Sequence, residues 1–152
     1  MVAVSRGMKN PALSELDALV GGWTMTMSGA WFLDSMETEV PGSATFEWIG
    51  DAFVAMRSEL GGDPAWDFVF GHSDANDAYT ALYHDERGVS RVYAMTFTAT
   101  EWTLLREDPD FHQRFVAERQ ADRIVARWDA SEDQGRTWRK DFDVVMERAT
   151  TG

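Results

Sequence analysis

Cysteine is absent from the chain, and with it go disulfides, thiolate metal ligands and any thiol nucleophile. Positive charge is scarce: 14 Lys and Arg stand against 26 Asp and Glu, for a net charge of −12, which repels phosphate backbones and anionic lipid surfaces alike. Neither nucleic acid nor a membrane is therefore expected as a partner. No window approaches the ~18 consecutive apolar residues of a membrane-spanning helix, and residues 1–10 lack the apolar stretch of a signal peptide, so a cytoplasmic location is expected. There is no Gly-x-Ser-x-Gly elbow, no Gly-x-x-x-x-Gly-Lys phosphate loop, no Gly-x-Gly-x-x-Gly fingerprint and no His-Glu-x-x-His pair. The common signatures of hydrolases, nucleotide enzymes and zinc proteases are thus missing. The three histidines are isolated, and the acidic stretch 74–77 lacks the spacing of a calcium loop. No metal and no cofactor is expected.

What the chain does have is alternation. Asn10 is a good N-cap, Pro11 suits the first helical position, and Leu13, Leu16, Leu19 and Val20 recur at helical spacing until Gly21-Gly22 stops the pattern. From there the period drops to two. Apolar and polar residues alternate over 22–30, 41–50, 52–60, 66–73, 78–85, 89–98, 101–107, 111–119, 122–130 and 137–148, separated by short turns such as Gly50-Asp51, Gly61-Gly62-Asp63-Pro64 and Asp108-Pro109-Asp110. Short links favour antiparallel neighbours, and consecutive hairpins can close into a barrel that leaves no free edge. With 152 residues, 44% of them hydrophobic, the chain suits one domain, here 10–148 between tails at 1–9 and 149–152. The segment 31–40, where Trp31 and Phe32 precede an acidic run, reads as a loop over one mouth. Those two aromatics would equally serve a contact with a second copy of the chain, a homodimer.

Gly22-Trp23 entering the first strand after a short helix, with Arg148 near the chain end, looks like the calycin arrangement, in which the Arg packs across the Trp at the closed end of the barrel. The runs Ala44-Thr45-Phe46-Glu47-Trp48, Gly71-His72, Arg87-Gly88-Val89-Ser90-Arg91-Val92-Tyr93 and Phe111-His112-Gln113-Arg114-Phe115, with Trp102, Trp128 and Trp138, together resemble bacterial lipocalin-like proteins of unknown function. These are related in architecture to the fatty-acid-binding proteins and the haem-binding nitrobindins. The resemblance runs from about residue 20 to the end. It implies an all-β fold, a roughly ten-stranded antiparallel up-and-down calycin-like β-barrel with one short N-terminal helix. Nitrobindin-like proteins hold haem iron through a His in the C-terminal part of the barrel, and 137–148 contains none, which counts against haem. His112 has the opposite parity to Phe111 and Phe115, so it is expected to face solvent.

Strand parity also predicts what lines the interior. Trp23, Met25 and Met27 on the first strand, then Phe46 and Trp48, Phe53 and Ala55, Trp66, Phe68 and Phe70, Tyr93, Met95 and Phe97, Trp102 and Leu104, Phe111 and Phe115, Trp128, and Phe142, Val144 and Met146 fall on the inward faces. The same parities carry Arg57, Glu59, His72, Tyr83, Asp85, Arg91 and Arg106 inward. An apolar pocket with a few convergent polar groups is the usual form of a small-molecule site. The expected ligand is small and largely apolar, its body against Trp48, Tyr93, Trp102, Phe115 and Trp128 and its anionic or polar head near Arg57, Arg91, His72 and Tyr83. Two alternatives stand beside it. One is an enzyme using the same cavity for acid–base chemistry, with His72 and Asp85, or a Tyr–Arg group in which the Arg stabilises developing negative charge, as its candidates. The other is a structural or interaction barrel plugged by its own side chains, with the buried charges paired to one another.

Overall fold

The computed structural model describes residues 9–150; residues 1–8 and 151–152, the greater part of the two tails, lie outside the described residues. One 3-10 helix, Pro11–Leu19, is followed by strands β1 (Gly21–Ser28), β2 (Val40–Ile49), β3 (Phe53–Leu60), β4 (Asp63–Pro64), β5 (Asp67–Ser73), β6 (Ala78–His84), β7 (Ser90–Phe97), β8 (Glu101–Asp108), β9 (Phe111–Arg119), β10 (Arg123–Ser131) and β11 (Arg139–Arg148). Each long strand pairs antiparallel with its neighbour in sequence, and β1 pairs with both β2 and β11, so ten strands close into a barrel with the two-residue β4 appended to β3. The expected all-β barrel with a single short helix is what the chain forms.

The helix is of the 3-10 kind, and its leucines suit that geometry. Leu13, Leu16 and Leu19 are spaced three apart, and at three residues per turn they eclipse into one stripe; all three are at most 1% exposed. Asn10 caps the start by accepting the Ala12 N–H at 3.0 Å, and Gly21, at φ 123°, turns the chain into β1. The stripe plugs one end of the barrel. There Trp23 donates its indole N–H to the Leu19 carbonyl at 2.8 Å. Arg148 lies over the Trp23 ring at 4.2 Å and donates to the carbonyls of Val20 and Ala18 at 2.9 and 2.6 Å.

Along the axis the inward side chains form an aromatic column. Phe70 stacks with both Phe46 and Phe68, Phe46 and Phe70 meet Trp102 edge-on, and Trp102 packs at 4.9 Å against Phe115, itself 5.0 Å from Trp128. Such pairs add to their area burial through ring electrostatics.

On β3 the observed parity is the opposite of the expected one. Val54, Met56 and Ser58 face inward, Met56 pairs with inward Phe46, and Phe53 and Arg57 lie on the outer face. The misleading residue is Phe53. It is large and apolar, yet 48% exposed, because it covers Gly71 on the neighbouring strand, whose absent Cβ would sit 3.3 Å from the Phe53 ring. Ala55 is buried although it shares that outer parity. His112 does face away from the interior, but it is buried rather than solvated, because the chain after β10 folds over it: its ring centroid is 6.3 Å from that of Trp138, and Gly135 packs against its Nδ1.

Candidate functional site

Opposite the helix the barrel is open. A cavity of about 330 Å³ there is bounded by Met27, Leu60, Trp66, Trp128 and Phe142, with Phe32 from the loop after β1 at its rim. The volume falls within the range of small-molecule sites. Phe32 reaches the rim because Trp31 beside it is tied down: its indole donates to Asp141 at 3.1 Å and Arg139 lies over its ring at 4.6 Å. The polar groups of the cavity are Tyr83, Arg91, Tyr93 and Gln113. The register places them together, since Tyr83 pairs with Arg91 across β6–β7 and the Tyr93 hydroxyl donates to Oε1 of Gln113 on β9.

Arg91 is the electrostatic centre of this group. Its guanidinium sits 5.3 Å from the Tyr83 ring and 5.1 Å from the Phe111 ring, and among the described residues no carboxylate pairs with it. Its neighbours are compensated. Arg87 pairs with Asp85 at 2.5 Å, and Arg106, buried on the same inward face, pairs with Asp108 and Asp110 at 3.2 and 2.9 Å. Asp85 also accepts the Tyr83 hydroxyl at 2.7 Å, and the Arg87 bond, with that of Tyr83, holds its carboxyl well below the usual carboxylate range. Burial pushes the Tyr93 hydroxyl up to about 12 despite the opposing charges of Arg91 and Arg106; burial and then Asp85 raise that of Tyr83. Both phenols are therefore neutral at physiological pH.

The nine residues predicted for the site separate into four groups. Tyr83, Arg91, Tyr93 and Trp128 meet at the mouth. Trp102 and Phe115 lie deeper, around a small inner void. Trp48 and His72 belong to the helix end: Trp48 donates to Asp17 at 2.9 Å, and His72 is bonded to Asp77 at 2.9 Å with its ring edge-on to Tyr79. Arg57 is outside the barrel altogether, paired with Glu47 at 3.1 Å, because of the β3 parity. Gln113 and Leu60 lie in the site without having been predicted for it: Gln113 occupies the inward position between Phe111 and Phe115, where its signal was present, and Leu60 shares the inward parity of β3, the reverse of the one expected. Trp66, recognised as inward, belongs to the wall as well.

The proposed His72–Asp85 pair does not form, since the two bond to different partners at opposite ends of the barrel. Haem of the nitrobindin kind would need an imidazole facing the cavity. His72 is held at the helix end, His84 is exposed, and His112 lies on the outer face, so the residues present do not fit a histidine-ligated haem. Among the described residues no group of three or more His, Cys, Asp or Glu stands together, and no helix is long and apolar enough to cross a membrane.

No protein-family model matches the chain, and no curated protein matches it in sequence. Solved structures do match in shape. The crystal structure of Rv2717c from M. tuberculosis superposes with a TM-score of 0.62 at 12% identity, covering 93% of this chain and 99% of that one. At that identity the likeness concerns the fold.

Proposed function

We propose that the protein binds a small, largely apolar anion in the mouth of the barrel, with the anionic head on Arg91 and the body against Trp66, Trp128 and Phe142. One observation carries the reading: Arg91 is a cation without a carboxylate partner among the described residues, held between two aromatic rings at the edge of an apolar cavity. A guanidinium in such a place suits a planar carboxylate or sulfonate, to which it offers a bidentate fork. Tyr83, Tyr93 and Gln113 supply neutral hydrogen-bonding groups beside it. We further place the chain among the calycin-type barrels, on the packing of Arg148 across Trp23 at the closed end. Of the acid–base candidates, His72 and Asp85 do not meet; Tyr83 and Arg91 do, but the Tyr83 and Tyr93 hydroxyls, raised above their ordinary value, stay protonated at neutral pH, which favours binding over proton abstraction.

The test uses naphthalene sulfonate as anionic probe and naphthalene sulfonamide as its neutral counterpart, followed by quenching of tryptophan fluorescence. Arg91→Met is expected to weaken the sulfonate by about 10- to 100-fold, the equivalent of one charge-assisted hydrogen bond of ~1.5–3 kcal/mol, and to change the sulfonamide far less. Arg57→Met, on the outer wall, leaves both unchanged. Equal losses for the two probes in Arg91→Met would refute the anion-binding role.

A further inference from the structure

Among the described residues, two indole N–H groups inside the barrel lack a hydrogen-bond acceptor: Nε1 of Trp102 and Nε1 of Trp128, on residues 1% and 4% exposed. Buried donors are almost always paired, and the Trp23 indole at the helix end is. Both unpaired rings border the same inner void of about 10 Å³, whose wall also includes Met56, Leu104, Phe115 and Met146. Trp66 and Trp128 border this void and the mouth cavity alike, so the two spaces adjoin. Ten cubic ångströms is the room of about one oxygen-sized group. The chemistry of the wall selects which group. Among the side chains that line it are the two unpaired indoles and, apart from the weakly accepting methionine sulfurs, no acceptor. Water or a hydroxyl there would have its own protons unserved, whereas a carbonyl-type oxygen accepts two bonds and has none to give.

We propose that this void is the deep end of the ligand site and takes a hydrogen-bond acceptor that carries no proton, as in a ketone or quinone. The inference rests on the reading of the mouth as an anion site and adds a second polar point to the ligand: an aromatic or polycyclic anion with a ring carbonyl set apart from its charge. Met56 and Met146, unbranched and adaptable, allow the void to widen around the entering group.

The experiment compares anthraquinone sulfonate with anthracene sulfonate, matched in skeleton and charge position and differing in the ring carbonyls. Affinities are measured by calorimetry, and the indole N–H signals by nitrogen–proton correlation spectra of the full chain. The quinone is expected to bind about 100-fold tighter, about tenfold for each of the two buried donors satisfied, with the ratio falling to about tenfold in Trp102→Phe and in Trp128→Phe. In the wild type, the Trp102 and Trp128 indole protons are expected to move downfield with the quinone and not with the anthracene. If either variant fails to fold, the other and the wild-type spectra decide. Equal affinities with unmoved indole signals, both probes still weakened by Arg91→Met, would overturn the deep subsite and leave the mouth reading intact. Indole signals already in the bonded range without probe would mean that a resident water fills the void, and would overturn it as well. Failure of both probes to bind the wild type would overturn both readings.

Discussion

Arg148→Met is the perturbation that reads most directly on how the barrel is closed. The guanidinium makes two donations to carbonyls at the end of the helix, at 2.9 and 2.6 Å, and a cation–π contact with Trp23 at 4.2 Å. A charge-assisted hydrogen bond is worth ~1.5–3 kcal/mol when buried. The Arg148 side chain is 30% exposed, so water takes over part of that role and each bond is discounted to about 1 kcal/mol. The ring contact adds ~0.5–1 kcal/mol. Its 3.6 Å pair with Asp122 is largely solvated and adds little. Methionine keeps much of the stem's packing, so the net loss is about 2–3 kcal/mol. For a chain of this length that lowers the melting temperature by roughly 4–12 °C, and the urea midpoint by roughly 1–2 M with an unchanged slope. Urea titration of wild type and variant, followed by Trp fluorescence, measures it. A loss below about 0.5 kcal/mol would refute the view that Arg148 holds the helix to the barrel.

Other expectations follow from single contacts. Gly42→Ala would place a Cβ 2.0 Å from the Glu59 carbonyl oxygen, so β2 must separate from β3; a loss of roughly 3 kcal/mol or more is expected, and a urea midpoint equal to that of wild type would contradict it. All three tyrosines are shifted upward, Tyr79 and Tyr93 to about 12, so phenolate absorbance should show no transition at the usual tyrosine value near 10. Because these folded-state values lie above the unfolded one, their contribution to stability is complete below about pH 10 and is lost as the pH rises toward 12. A tyrosine titrating at its ordinary value in the folded protein would show that the phenol concerned is solvated.

The fold was legible because its signal is repeated. Ten alternating runs with turn residues between them specify antiparallel hairpins, and nine of the ten carry their large residues on the face that the barrel buries. β3 fails because a parity rule weighs side-chain size alone, and Phe53 is there to cover the bare backbone of Gly71. Helix type was less so: Leu13, Leu16 and Leu19 recur three apart, as 3-10 geometry needs, but together with Val20 they fit an α-helix equally well. The site was legible only by face and not by height. Parity places Trp48, His72, Trp102 and Arg91 on one inner surface, but whether a residue sits at the plugged or the open end depends on strand direction and on which end the helix occupies. That is why Tyr83 and Arg91 meet while His72, inward on the same strand system, is bonded to Asp77 at the far end. His112 shows the same limit from outside: parity puts it on the outer wall, and only the fold of the chain after β10 buries it.

The central claim is that an anion enters at the mouth and is held by Arg91. Mapping backbone amide shifts during titration with naphthalene sulfonate tests it most directly, since every strand contributes amides at both ends of the barrel. Perturbations are expected at Leu60, Trp66, Tyr83, Arg91, Gln113 and Trp128, with the helix end around Leu16, His72 and Tyr79 unmoved. Shifts centred on that helix end, or the same mouth shifts at the same affinity in Arg91→Met, would contradict it.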